Sequence, residues 1–195
     1  QIVGPAAFAK MDRRGTTAMF TANPQLDVGS CCTAPFGRKL DELPEGRRQE
    51  VRNRIGWTTS QEELLSTGEV VSDRWWVVGR KLEEDEQLTT MSTWLWGEQR
   101  AQPALILTFP PSGRPLDRSL PPGAALDADL VYFPGATRQR ALVKQRREVS
   151  PLPPVPRGQR SLSATLDAYA DDLGENPWLS RHGVLVAEVV PETEG

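Results

Sequence analysis

The clearest structural pattern in the chain is the run Ala125-Leu126-Asp127-Ala128-Asp129-Leu130-Val131-Tyr132-Phe133. Successive side chains of a β-strand point to opposite faces of its sheet. On a strand, Leu126, Ala128, Leu130 and Tyr132 therefore share one face, and the residues between them share the other. The run predicts a strand with one wholly apolar face.

Four further strand candidates surround this one. They are Arg74 to Val78, Leu88 to Trp96, Ala104 to Phe109 and Arg138 to Arg147. Turns, and not long helices, separate them, and this spacing is typical of an antiparallel meander or a small barrel. Proline-rich loops lie between the third and fourth strands in chain order, where proline cannot donate a ladder hydrogen bond.

Three short helices are predicted outside these strands. Pro44 and Glu45 suit a first helical turn that ends at Gly56. Ser60 to Glu63 is a capping box for a second helix, which Gly68 ends. Ser161 caps a third helix, which has apolar residues at helical spacing and is followed by a strand over 184–190.

These elements predict an α+β fold: an antiparallel β-meander or small barrel of about five to six strands, with short N-terminal helices and a C-terminal helix–strand unit. Residues 1–37, interrupted by glycine and proline, are expected to be an irregular or partly disordered segment. The helices and the sheet occupy 38–149, and a proline-rich connector occupies 150–160. Residues 161–195 are the C-terminal helix and strand, packed on the same domain.

Composition limits the possible classes of protein. The chain has 195 residues and a net charge of −3, with 17 prolines and 16 glycines. It contains no apolar run of the roughly 18 residues that a membrane-spanning helix needs. Its two cysteines, Cys31 and Cys32, are adjacent and cannot form a disulfide framework, so we expect reduced thiols and a cytoplasmic protein.

Motifs for catalysis are scarce. The sequence has no phosphate-binding loop, dinucleotide fingerprint or Gly-x-Ser-x-Gly elbow. His182 is the single histidine, and its neighbours Arg181 and Gly183 favour an exposed position in a turn. Asp127 and Asp129 share a strand face, which suits either a divalent cation with further oxygen ligands or plain solvation. We predict no catalytic residue, metal ligand or cofactor.

Aromatic and basic residues give a candidate interaction surface. Trp75 and Trp76 must point to opposite faces of their strand. Either the tryptophans all serve core packing, or packing of one face leaves at least one tryptophan exposed on the other as part of an interface. The basic residues of the fifth strand share one parity. They suit either an ordinary solvated face or a stripe that follows a phosphate backbone, and the acidic run Glu83 to Glu86 is a candidate to neutralise that stripe. The predicted surface consists of Trp75, Trp94, Trp96, Arg138, Arg140, Lys144 and Arg146.

Seven segments are informative when they are taken in order along the chain. They are Leu40-Asp41-Glu42-Leu43-Pro44, Val51-Arg52-Asn53-Arg54-Ile55-Gly56, Asp73-Arg74-Trp75, Trp94-Leu95-Trp96-Gly97, Pro103 to Phe109, Pro122 to Gly135 and Asn176-Pro177-Trp178-Leu179. Taken in this order, they resemble the C-terminal region of bacterial SWIM zinc-finger family proteins. The resemblance implies a non-enzymatic role. The family carries a Cys-x-Cys…Cys-x-His zinc motif upstream of this region, expected to bind nucleic acid or protein, and this chain cannot supply those four ligands.

Three functional hypotheses follow. The first is a non-catalytic binding or scaffolding module, with another protein as its partner and no membrane association. The second is a nucleic-acid-binding protein that uses the basic strand and exposed aromatic residues, although an acidic chain repels a polyanion at long range. The third is a carboxylate-dependent metal enzyme, which needs a third carboxylate near Asp127 and Asp129.

Overall fold

The computed structural model describes residues 7–8, 17–22, 42–57, 59–84, 89–109, 119–151 and 158–187. The α+β prediction is confirmed. The helices are α1 (Glu45–Arg54), α2 (Gln61–Thr67) and α3 (Leu162–Glu175). The strands are β1 (Ala7–Phe8), β2 (Thr17–Ala22), β3 (Val70–Glu84), β4 (Thr89–Gly97), β5 (Pro103–Thr108), β6 (Ala124–Tyr132), β7 (Ala141–Pro151) and β8 (His182–Ala187).

Five strands form one antiparallel sheet in the order β5-β4-β3-β6-β7. Its two edges approach each other at one point, where Leu105 forms a parallel bridge with Arg140 and the Leu105 N–H donates to the Gln139 carbonyl at 2.6 Å. Beyond this bridge the edges are not paired among the described residues. The sheet is therefore open, which decides between the two predicted alternatives, a meander and a small barrel, against the barrel.

The apolar face predicted for β6 forms the main core. Leu126, Ala128, Leu130 and Tyr132 pack there with Trp75 and Leu95. The indole N–H of Trp75 donates to the Ala128 carbonyl at 3.1 Å, which satisfies this buried polar group. The two-residue period therefore placed the core face correctly.

A second sheet, in the order β1-β2-β8, covers part of the opposite face. Leu185 of β8 packs there with Trp76, Trp94 and Trp96. The predicted irregular segment over 1–37 is thus wrong at 17–22, because β2 pairs with β8 along all six of its residues. Apart from 7–8, the rest of that segment, including Cys31 and Cys32, lies outside the described residues.

Local capping signals are confirmed. The Ser60 hydroxyl accepts the Glu63 N–H at 3.1 Å, and the Ser161 hydroxyl accepts the Ala164 N–H at 3.2 Å. Gly56, just after α1, has a φ of +95°, a conformation that glycine adopts at little cost. In the part of the chain that the structure describes, no helix has the length and apolar character to cross a membrane.

Candidate binding cleft

An open cleft of about 790 Å³ lies beside β5, between α1, the loop that joins β6 to β7, and the segment that follows α3. Its apolar side chains are Leu105, Leu107, Phe109, Phe133, Trp178 and Leu179. Its amide and hydroxyl groups include those of Asn53, Thr137, Gln139, Asn176 and Ser180. Its charged groups are those of Glu50, Arg140 and Arg181.

Arg140 is positioned by the pairing of β6 with β7. Tyr132 pairs with Ala141, and the adjacent Phe133 N–H donates to the Arg140 carbonyl at 2.9 Å. The Arg140 guanidinium therefore lies over the Phe133 ring, 4.2 Å from its centroid, in a cation–π contact. Burial lowers the pKa of Arg140, and no carboxylate of a described residue forms an ion pair with it.

Glu50, on α1, has a structural role at the cleft wall. Its carboxylate accepts the Ala136 N–H at 3.0 Å and is also hydrogen-bonded by the Thr137 backbone and the Asn176 side chain. Burial raises the pKa of Glu50, while these three hydrogen bonds favour its ionised form. The Glu50 carboxylate therefore serves as a partly buried hydrogen-bond acceptor that holds the β6–β7 loop.

His182 contacts the side chain of Gln139, which lines the cleft. Its Nδ1 lies 3.0 Å from the Gln139 side-chain nitrogen and 3.2 Å from a carboxylate oxygen of Asp172. Burial lowers the pKa of His182, and Asp172 acts in the opposite direction. The predicted exposed histidine is wrong, because β8 begins at His182 and Tyr169 of α3 covers the ring at a centroid distance of 4.9 Å.

The three tryptophans of the predicted interaction surface are buried and do not form a surface. Trp75, Trp94 and Trp96 retain only 0%, 5% and 8% of their accessible area. Trp75 lies in the main core, and the other two lie under Leu185 of β8. Of the two alternatives, core packing is therefore correct and an exposed tryptophan at these positions is wrong, because the second sheet covers the other face.

The predicted basic stripe is also wrong. Leu130 pairs with Val143 but Asp129 pairs with Gln145, so Lys144 is an extra residue in a bulge. This bulge reverses the parity of the strand. Arg146 then lies opposite Ala128, on the side of the main core, whereas Arg140 lies beside Phe133 on the other side.

The individual basic side chains have separate partners. Arg138 forms an ion pair with Glu69 at 2.9 Å, and Arg146 donates to the Ser119 hydroxyl at 2.7 Å. Glu83 does not neutralise this strand, because it pairs with Lys81 and with Arg181. Residues 85 and 86 of the acidic run lie outside the described residues. Arg138, Arg140, Lys144 and Arg146 are exposed, but they do not form one surface.

Asp127 and Asp129 share a face of β6, as predicted. Asp129 accepts hydrogen bonds from the Ser72 hydroxyl and from Arg147, and these contacts lower its pKa. Within the described ranges, no group of three or more His, Cys, Asp or Glu side chains is placed to hold a metal ion. The third carboxylate that a metal centre needs is therefore not found beside this pair in the described chain.

Arg140 belongs to the predicted surface, but the aromatic side chains beside it in the cleft, Phe109 and Phe133, were not predicted as site residues. Phe109 and Phe133 each stand at the end of an apolar strand, directly before a proline. Proline cannot continue a ladder, so a strand tends to end at the residue before it, where a large side chain is left beside a loop. The repeated Phe-Pro pair was the available signal.

No protein-family model, curated protein or solved structure matches the chain. The chemistry of the cleft therefore carries the functional interpretation.

Proposed function

We propose that this chain is a non-catalytic binding module, the C-terminal part of a SWIM zinc-finger-type protein, and that it binds a protein partner in the cleft beside β5. The observation that carries the proposal is the exposed aromatic Phe109 in an open cleft of about 790 Å³ that also presents amide and guanidinium groups. Apolar walls with a few convergent polar groups are typical of binding sites.

The composition of the cleft favours a protein as the partner. Leu107 of β5 and Phe109, directly after this strand, give the cleft apolar contact area, whereas Leu105 is buried in the second core. Polar side chains of Asn53 and Ser180 lie in the same cleft. Apolar contact area combined with polar groups is the usual anatomy of a protein interface.

The rival hypothesis of nucleic-acid binding has less support. A phosphate-tracking stripe needs its cations on one face, whereas Arg140 and Arg146 lie on opposite sides of the sheet. Base stacking needs accessible rings, and the tryptophans proposed for it are buried.

A displayed library of random dodecapeptides tests the proposal. We expect selected peptides to lose at least tenfold in affinity for the Phe109→Ser variant. The matched control is Val149→Ser, because Phe109 and Val149 are both 45% exposed and Val149 does not line the cleft. Failure to select any peptide, or equal losses in the two variants, would refute binding in the cleft.

Two further measurements test the remaining parts of the proposal. A labelled 20-nucleotide single strand should bind more weakly than about 10 μM at physiological salt by anisotropy, since few cations are aligned. Submicromolar binding that the combined Arg138→Ala, Arg140→Ala and Arg146→Ala changes abolish would favour the rival hypothesis. Finding Cys-x-Cys…Cys-x-His in the coding sequence upstream would support the family assignment, and its absence there would contradict it.

A further inference from the structure

The cleft also indicates the chemical class of its ligand. We propose that the partner presents an extended peptide with a carboxylate side chain, that this peptide pairs with the free edge of β5 at Leu107, and that Arg140 receives the carboxylate. This inference rests on the proposed function and specifies the ligand of the same cleft.

The outer edge of β5 offers backbone groups with which a further strand can pair. β5 is the terminal strand of its sheet. The Leu105 N–H points away from β4, because it donates to the Gln139 carbonyl. Backbone groups two residues apart on a strand point to the same side, so the N–H and C=O of Leu107 face the same edge. The Leu105–Arg140 bridge is the single pairing of this edge within the described ranges, and an unpaired edge is a template for a further strand.

Apolar side chains lie beside that edge at the spacing of a strand. Leu105 and Leu107 of β5, and Phe109 directly after it, stand two residues apart and all line the cleft. A peptide strand that pairs at Leu107 presents every second side chain to the same face, because its period is also two. Leu107 and Phe109 therefore offer apolar contacts to alternate residues of the added strand.

The cleft contains a cation, Arg140, that suits a carboxylate ligand. Its other cation, Arg181, forms an ion pair with Glu83 at 2.8 Å, and the carboxylate of Glu50 is held by the β6–β7 loop. Arg140 has no ion-pair partner among the described residues and is partly desolvated over Phe133. A guanidinium presents a planar fork of donors that matches a carboxylate. Its bridge to β5 places it directly across from Leu105.

Two displayed decapeptide libraries test the inference, identical except for a fixed central Asp in one and Asn in the other. We expect binders mainly from the Asp library, and a selected peptide should bind at least tenfold more tightly than its Asn twin by anisotropy. Arg140→Gln should remove that difference. Arg138→Gln is the matched control, because its cation pairs with Glu69 and does not line this cleft. N-methylation along the peptide should weaken binding at alternate positions only, since only alternate N–H groups face β5.

The outcomes separate this inference from the proposed function. If peptides bind and need Phe109, but the Asn twin binds equally well or Arg140→Gln has no effect, the carboxylate assignment is wrong and the proposed function stands. If methylation is tolerated at every position, pairing with the edge is wrong. If binding is insensitive to Phe109→Ser, the proposed function itself fails. Should Arg140→Gln not fold, Arg140→Met replaces it, since Met keeps an unbranched side chain but has neither the charge nor the donors, and it should likewise remove the difference between the Asp and Asn peptides.

Discussion

The adjacent tryptophans of β3 allow a matched test of buried hydrogen bonding. Trp75→Phe and Trp76→Phe remove the same atoms from two buried sites, at 0% and 6% exposure. The indole N–H of Trp75 donates to the Ala128 carbonyl at 3.1 Å, whereas the buried N–H of Trp76 has no acceptor among the described residues. We expect Trp75→Phe to be clearly the more destabilising change.

The size of the difference follows from the cost of buried polar groups. Loss of the Trp75 hydrogen bond costs about 0.5–1.5 kcal/mol net. Removal of the unsatisfied Trp76 N–H relieves about 1–3 kcal/mol. The lost ring area is similar at the two sites and cancels in the comparison, so the unfolding free energies of the two variants should differ by about 1.5–4.5 kcal/mol.

Urea unfolding followed by far-UV circular dichroism measures this difference without relying on the fluorescence of the altered residues. Trp57→Phe is the surface control, because Trp57 is 64% exposed and its change should cost less than about 0.5 kcal/mol. Equal destabilisation by Trp75→Phe and Trp76→Phe, or a larger loss for Trp76→Phe, would show that the N–H groups do not decide the outcome.

Three further predictions concern positions outside the cleft. Gly158→Ala should cost about 1–3 kcal/mol in thermal unfolding, because a Cβ there meets backbone atoms of Leu185 and Ala187 at 2.8 Å, and Gly174→Ala, with open space around it, should not destabilise. The pKa of His182 is lowered in the folded protein, so the unfolded chain binds the proton more readily. The unfolding free energy should therefore fall as pH drops below the ordinary pKa of 6.5. The dependence on pH should be flatter for His182→Asn, and an unchanged slope would contradict this cause. Asp73→Asn should cost about 1.5–3 kcal/mol and speed amide exchange in the β4–β5 turn, where the carboxylate accepts N–H groups of residues 99–100; unchanged exchange there would contradict the role.

The local elements of this protein could be predicted from its sequence. The alternation of β6 identified its core face, and Ser60 and Ser161 marked where helices begin. These signals are reliable because strand parity and helix capping depend on residues within a few positions of each other. The presence of Arg140 in a candidate site was also predicted, although for a different surface.

Which faces are covered depends on contacts between elements that are far apart in the chain. The parity argument separated Trp76 from Trp75 correctly, but it could not show that Leu185, more than a hundred positions away, packs on Trp76. The bulge at Lys144 likewise depends on the register with β6, and one inserted residue is enough to move Arg146 to the other side of the sheet from Arg140. The cleft joins α1, β5, the β6–β7 loop and the segment after α3, so its composition depends on how distant elements pack, which no local period encodes.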